Sequence, residues 1–201
     1  VILDSALEFL KSPRTRLGPY NRCVPKTSPA QPLRPALFLD RDGVLNEDRG
    51  YVSRWEDFHW IAGARETVAA FNRAGWLVIV VTNQSGVGRG YYSEADVHAL
   101  HARMAKDLAD IGGRIDAFYH APQHPDAPVE AYRHPDPPDR KPNPGMILRA
   151  LSEWPIDREA SLLVGDKPSD LEAALRAGVK SVLFTGGDLA QFLRIQALLP
   201  T

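Results

Sequence analysis

At 201 residues, the chain has room for one domain and a short appendage. Its 24 Lys and Arg against 25 Asp and Glu exclude a global electrostatic attraction to nucleic acid or to a membrane surface. The single cysteine, Cys23, excludes an internal disulfide framework and a multi-cysteine zinc site, and no stretch reads as a bilayer span or a secretory signal, so a cytoplasmic protein is expected.

Residues 1–34 read differently from the rest. A short apolar helix candidate, Val1–Leu10, runs into a basic, proline-rich stretch without periodicity, which reads as a surface arm or linker. Residues 35–201 then form the domain. The run "ALFLD" (36–40) is continuously apolar up to its aspartate, as a strand covered on both faces would be. "GARETVAAFNRAG" places Ala64, Val68 and Phe71 on one helical face and ends at Gly75, a suitable residue just past a helix. "WLVIVVT" (76–82) is a second buried strand.

Ser93 with Asp96 predicts a capping box at the start of a helix whose apolar stripe is Val97, Leu100, Met104, Leu108 and Ile111. "GVGRG" (86–90) has the wrong spacing for a dinucleotide loop and reads as a turn. A third strand is expected over 115–120, and a helix over 145–154 with Ile147, Leu148, Leu151 and Trp154. A fourth strand follows over 161–166, then a helix with a Ser169/Glu172 box ending at Gly178, and a fifth strand over 180–185. Buried strands alternating with amphipathic helices predict an α/β layered fold on a mostly parallel sheet.

In such folds ligands bind beyond the carboxyl ends of the strands. The polar residues there are Asp40 and Asp42 after the first strand, Thr82 and Asn83 after the second, and Asp166 and Lys167 after the fourth. Three converging carboxylates repel one another unless a cation or proton lies between them, and hard oxygen donors suit Mg²⁺. A lysine and a hydroxyl among the acids call for an anionic partner, and a carboxylate is itself a competent nucleophile. These groups together point to metal-assisted phosphoryl transfer. Taken singly, each is also an ordinary turn or cap residue; Asp170 in particular sits where a helix's first turn favours an acid.

The ordered blocks "LFLDRDGVLN", "VIVVTNQSGVGRGYY", "DRKPNPGM" and "LLVGDKPSDLEAALRAGV" resemble the haloacid dehalogenase superfamily of phosphatases. More closely, they are similar to its branch of heptose-bisphosphate and histidinol-phosphate phosphatases. The likeness runs from about Pro35 to Gly187. It implies a Rossmann-like three-layer sandwich with a mostly parallel sheet.

By the same resemblance, Asp40 is the nucleophile and Asp42 the general acid and base. Mg²⁺ is held by Asp40, the Asp42 backbone carbonyl and Asp166, while Thr82 and Lys141 hold the transferring phosphoryl group. Substrate contacts fall to Asp48, Arg49, Gly50, Tyr51, Asn83, Gln84, Ser85, Arg140 and Lys167. The implied substrate is a small phosphorylated molecule, first a sugar bisphosphate such as D-glycero-D-manno-heptose 1,7-bisphosphate, with histidinol phosphate as the nearest alternative.

Members of this branch often carry a zinc loop with a Cys-x-His and a Cys-x-Cys pair. Those positions here fall on Ala121, Gln123, Pro137 and Asp139, so zinc is not expected. His120, His124 and His134 in the same proline-dense segment are an alternative metal set, but irregularly spaced loop histidines are more often hydrogen-bonded. The spacings from Asp40 to Thr82 and from Thr82 to Lys141 leave no room for a cap domain. A polynucleotide 3′-phosphatase would want a basic groove with stacking aromatics, and beyond the arm no basic tract is concentrated. A catalytically silent interaction module on the same fold would be free to lose Asp40, Asp42, Thr82, Lys141 or Asp166, and all are present. The expected protein is a monomer with no nucleic-acid or membrane partner.

Overall fold

The computed structural model describes residues 32–200. The helix expected over residues 1–10 and the arm as far as residue 31, with Cys23, lie outside the described residues. The elements in order are β1 (Arg34–Leu39), α1 (Ala64–Arg73), β2 (Leu77–Asn83), α2 (Ser85–Gly88), α3 (Glu94–Ala109), β3 (Ala117–Ala121), α4 (Gly145–Glu153), β4 (Ile156–Gly165), α5 (Pro168–Ala177), β5 (Lys180–Leu183) and α6 (Leu189–Ile195). The five strands form one sheet in the order β3-β2-β1-β4-β5, and every neighbouring pair is parallel.

Both faces of this sheet are covered, which is why β2 is a near-unbroken apolar run. Leu37, Leu39, Val78 and Val80 pack on one side against Val68 and Phe71 of α1, Leu100, Met104 and Leu108 of α3, and Leu189 and Leu193 of α6. Phe38, Ile79 and Leu163 pack on the other against Met146, Ile147 and Ala150 of α4 and Ala173, Ala174 and Ala177 of α5. The result is the α/β layered fold that the alternation predicts, in the three-layer form that the resemblance implies. No cap domain occurs among the described residues: residues 40–63 form a flap, and residues 122–144 a loop with one short 3₁₀ turn at Glu130–Tyr132.

Local expectations fare unevenly. The Ser93/Asp96 capping box is present in both directions, and Gly75, at φ +83°, follows α1 in the left-handed conformation. Four details differ. α5 begins at Pro168, two residues earlier than expected, because proline suits the first helical position, and the acid that caps it is Asp170 rather than Glu172. Ile111 falls beyond the end of α3, in a turn through Gly112, and is exposed. Leu148 of α4 is also exposed, since the helix turns Met146, Ile147 and Ala150 to the sheet instead. The segment read as a turn at 86–90 is partly the single helical turn of α2, with the turn itself at Gly90.

His101 of α3 is a polar group within this core. Its ring stacks on Phe118 at 4.3 Å between centroids, and its Nε2 has no partner. Burial, reinforced by the charge of Arg41, pushes its pKa down to about 2. The folded state therefore keeps His101 neutral while the unfolded chain takes up a proton near pH 6.5, so stability falls as pH drops below that value. Between pH 7 and pH 5 this one residue should cost about 2 kcal/mol. Urea unfolding of His101→Leu is expected to lose that much less stability than the parent chain over the same interval; equal losses would remove the assignment.

Candidate active site

The carboxyl ends of β1, β2 and β4 meet at an open cleft of about 520 Å³. Asp40 lies at its floor, one residue past β1. Its Oδ1 accepts the backbone N–H of Arg41 at 2.7 Å and faces Lys141 Nζ at 2.9 Å. With Oδ1 anchored twice, Oδ2 is left as the oxygen available for reaction. Lys141 is almost fully buried, and all three of its ammonium protons are engaged, by Asp40, by Asp170 Oδ1 at 2.6 Å and by the Val81 carbonyl at 2.8 Å. Burial alone would lower the pKa of this lysine, but the two aspartates outweigh it and the net shift is upward. The ammonium is a fixed charge beneath the cleft.

Asn83 fixes the lysine's backbone. Its side-chain amide donates to the Lys141 carbonyl and accepts the Lys141 N–H, both at 3.0 Å. This clamp ties the end of β2 to a residue in the loop before α4, across 58 positions of sequence.

Asp42, two residues past Asp40, is held by donors on both oxygens. Arg41, whose side chain is wholly buried, reaches it from Nη2 at 2.9 and 3.0 Å; Asn46 Nδ2 donates at 3.0 Å and Gln84 Nε2 at 2.9 Å. Gln84 Nε2 also donates to Thr82 Oγ1 at 2.9 Å, leaving the threonine hydroxyl proton free to point at a ligand. The Gln84 carbonyl is in turn held by Tyr92 Oη at 2.8 Å. Burial pushes the Tyr92 phenol up to about 12, with Asp42 adding to the rise against the pull of Arg41, so it stays a donor. Tyr92→Phe removes one neutral hydrogen bond from this chain. It is expected to lower kcat roughly two- to tenfold with little change in KM; an unchanged kcat would mean Gln84 is positioned without it.

Asp40, Asp166 and Asp170 each bring a carboxylate oxygen within 4.8 Å of the others. Burial pushes Asp166 up to about 6, and the negative charge of Asp40 adds to it. Its Oδ1 is buried without a hydrogen-bond partner. Gly43, at φ +92°, leaves the space in front of it: a Cβ there would lie 2.3 Å from Asp166 Oδ2. An unpartnered oxygen, a like-charged neighbour and hard donors together fit a divalent cation such as Mg²⁺. Asp170 does not join as a free ligand, since Lys141 and the Lys167 N–H already occupy its oxygens.

The rim carries most of the expected substrate contacts. Asp48, Gly50, Tyr51, Ser85, Arg140 and Lys167 all line the cleft. Lys167 Nζ bonds Asp48 Oδ2 at 3.0 Å, joining the flap to the end of β4. Burial acts to lower this lysine's pKa, but Asp48 and Asp166 raise it further, and the net is upward. The flap's Tyr51 meets Tyr91 edge to face, with ring centroids 4.8 Å apart. Arg140 has no carboxylate partner within ion-pair distance among the described residues. Arg49 stands apart: it pairs with Glu47 at 2.7 Å, half exposed, and does not line the cleft.

Comparison with known proteins identifies the family. A family model described as HAD-hydrolase-like matches residues 139–191. The D-glycero-beta-D-manno-heptose-1,7-bisphosphate 7-phosphatase of Rhodopseudomonas palustris is 44% identical over 167 residues, covering 81% of this chain and 90% of its own. The D-glycero-alpha-D-manno-heptose-1,7-bisphosphate 7-phosphatase of Burkholderia mallei is 49% identical over 148 residues, covering 74% of this chain and 78% of its own. The chain belongs to the haloacid dehalogenase superfamily, among its heptose-bisphosphate phosphatases. Among solved structures, the D,D-heptose 1,7-bisphosphate phosphatase of B. bronchiseptica, complexed with magnesium and phosphate, superposes with a TM-score of 0.68 at 33% identity, covering 83% of this chain and 88% of that one.

Against the haloacid dehalogenase pattern, several residues stand out that the motifs did not single out. Arg41, Asn46 and Tyr92 build the setting of Asp42, while Asn83 and Gln84, expected to contact substrate, have their amides engaged by Lys141, Asp42 and Thr82. Asp170 is both a helix cap and the second carboxylate on Lys141. Nothing in the sequence marked Arg41 or Asn46, whose burial beside Asp42 depends on the fold. The alternative histidine set of the loop does not assemble among the described residues. His124 Nδ1 and His134 Nδ1 each accept a backbone N–H two residues on, from Asp126 and Asp136, and His120 turns toward α3.

Proposed function

We propose that the chain is a Mg²⁺-dependent phosphatase that removes the 7-phosphate of a D-glycero-D-manno-heptose 1,7-bisphosphate through an aspartyl phosphate. The observation that carries the chemistry is Asp40 at the cleft floor. One of its oxygens is anchored by Lys141 and the Arg41 amide, and the other is available for reaction. The substrate is drawn from the relatives' activity and supported by the rim.

Asp40 Oδ2 attacks phosphorus, and the bond from phosphorus to the sugar oxygen breaks as Asp42 gives that oxygen a proton. Asp42 then takes a proton from water, which attacks the same phosphorus and releases inorganic phosphate and free Asp40. Arg41, Asn46 and Gln84 hold Asp42 in place for both transfers. The free Thr82 hydroxyl proton faces the phosphoryl oxygens, and Lys141 supplies a fixed positive charge beneath them. Lys141 contacts a phosphoryl oxygen directly only by exchanging one of its present partners. Asp40, Asp166 and the Asp42 carbonyl would hold Mg²⁺, which when bound draws charge off the phosphoryl group. Arg140 and Lys167 at the rim are cations placed for the substrate's second phosphate.

The test is Mg²⁺-dependent phosphate release over a panel of heptose and hexose bisphosphates, histidinol phosphate, nucleotides and a 3′-phosphorylated oligonucleotide. A heptose bisphosphate should be preferred over every other member, and chelation of Mg²⁺ should abolish turnover. Preference for histidinol phosphate or for the oligonucleotide would replace the substrate while leaving the chemistry.

A further inference from the structure

A second group of ligand-type side chains lies away from the cleft floor, where α3 crosses β3. Glu94 and His98 are four residues apart on α3, so they share one face of the helix. That face meets His120 of β3. His120 Nε2 lies 3.0 Å from Glu94 Oε2, the His98 and His120 rings meet edge to face with centroids 5.2 Å apart, and one donor atom from each of the three falls within 4.8 Å of the others.

We propose that Glu94, His98 and His120 form a binding site for a divalent transition-metal ion of the zinc class, distinct from the Mg²⁺ position. Two imidazoles and one carboxylate are the donor set that suits zinc and its neighbours, whereas Mg²⁺ prefers oxygen alone. Three protein ligands leave one position of a tetrahedral ion for water. Tyr132 donates its hydroxyl to Glu94 Oε1 at 2.8 Å, which leaves Oε2 for the histidine side and orients the carboxylate as outer-shell partners of metal ligands do. His98 is exposed, so its side chain is free to change rotamer toward the other two. The absence of zinc expected from Ala121, Gln123, Pro137 and Asp139 does not bear on this group, which uses none of those positions.

An ion here would join three parts of the molecule: α3, the end of β3, and, through Tyr132, the proline-rich loop. His120 is the register partner of Thr82 on β2, so the site would brace the sheet edge beside the cleft. The site stands or falls independently of the phosphatase reading.

The experiment is equilibrium dialysis of the metal-stripped full chain against Zn²⁺ in excess Mg²⁺, which competes for the acidic site, with retained zinc measured by mass spectrometry. The parent chain should hold one zinc, and His98→Ala and His120→Asn should each weaken binding at least about tenfold. Zinc should also raise the thermal midpoint of the parent chain and not that of His98→Ala, whose exposed position leaves folding intact. Failure of the parent to retain zinc, or equal binding by the parent and both variants, would overturn the proposal.

Discussion

Asp40→Asn should reduce phosphate release by about 10⁴-fold or more while leaving the fold intact. The substitution is nearly isosteric. The asparagine carbonyl can keep both bonds that Asp40 Oδ1 makes, to the Arg41 amide and to Lys141. What is lost is the second carboxylate oxygen, the one left for attack, and the negative charge that makes it nucleophilic. The thermal midpoint is expected to stay within a few degrees of the parent. A variant that folds normally and keeps more than a hundredth of the activity would show that the phosphoryl group passes directly to water.

Lys141→Met tests the same site from the side of stability. The buried ammonium lies between Asp40 and Asp170, and a methionine of similar length leaves those two carboxylates facing one another without it. Breaking a buried ion pair by removing one partner costs about 3–5 kcal/mol, or roughly 10 °C in Tm for a domain of this size. Activity should be lost as well. Adding Asp170→Asn removes one of the stranded charges and can still cap α5 through its side-chain oxygen, so the double variant should regain most of the stability and none of the activity. Equal stability of the single and double variants would mean that Lys141 is not held by Asp170 in the way its 2.6 Å contact implies.

The layered sheet was legible because both of its faces are covered. Strands such as "LVIVVT" then become unbroken apolar runs, and the polar residue that follows each one stands out. Asp40, Thr82 and Asp166 announce themselves in this way. The parts that did not show are those that depend on distant segments meeting. The Asn83 amide closes on the Lys141 backbone, and nothing near either residue signals the other. Arg41 stands between two aspartates with no local sign of its role, yet its side chain is fully buried and holds one of them. Asp170 looked like a choice between cap and site, and it serves as both because Pro168 starts α5 early enough to bring its carboxylate over Lys141. The pairing of His98 with His120 likewise needs α3 to cross β3 at one height, which no local pattern encodes. Ile111 and Leu148 show the opposite case, where an apolar periodicity continues past the residues that the core can cover.

The most direct measurement is ³¹P and ¹H NMR of the product formed from D-glycero-D-manno-heptose 1,7-bisphosphate with Mg²⁺, with Asp40→Asn run in parallel. Inorganic phosphate and heptose 1-phosphate, formed by the parent chain and not by the variant, are the predicted result. Heptose 7-phosphate as product, or an untouched substrate in the presence of folded parent protein, would contradict it.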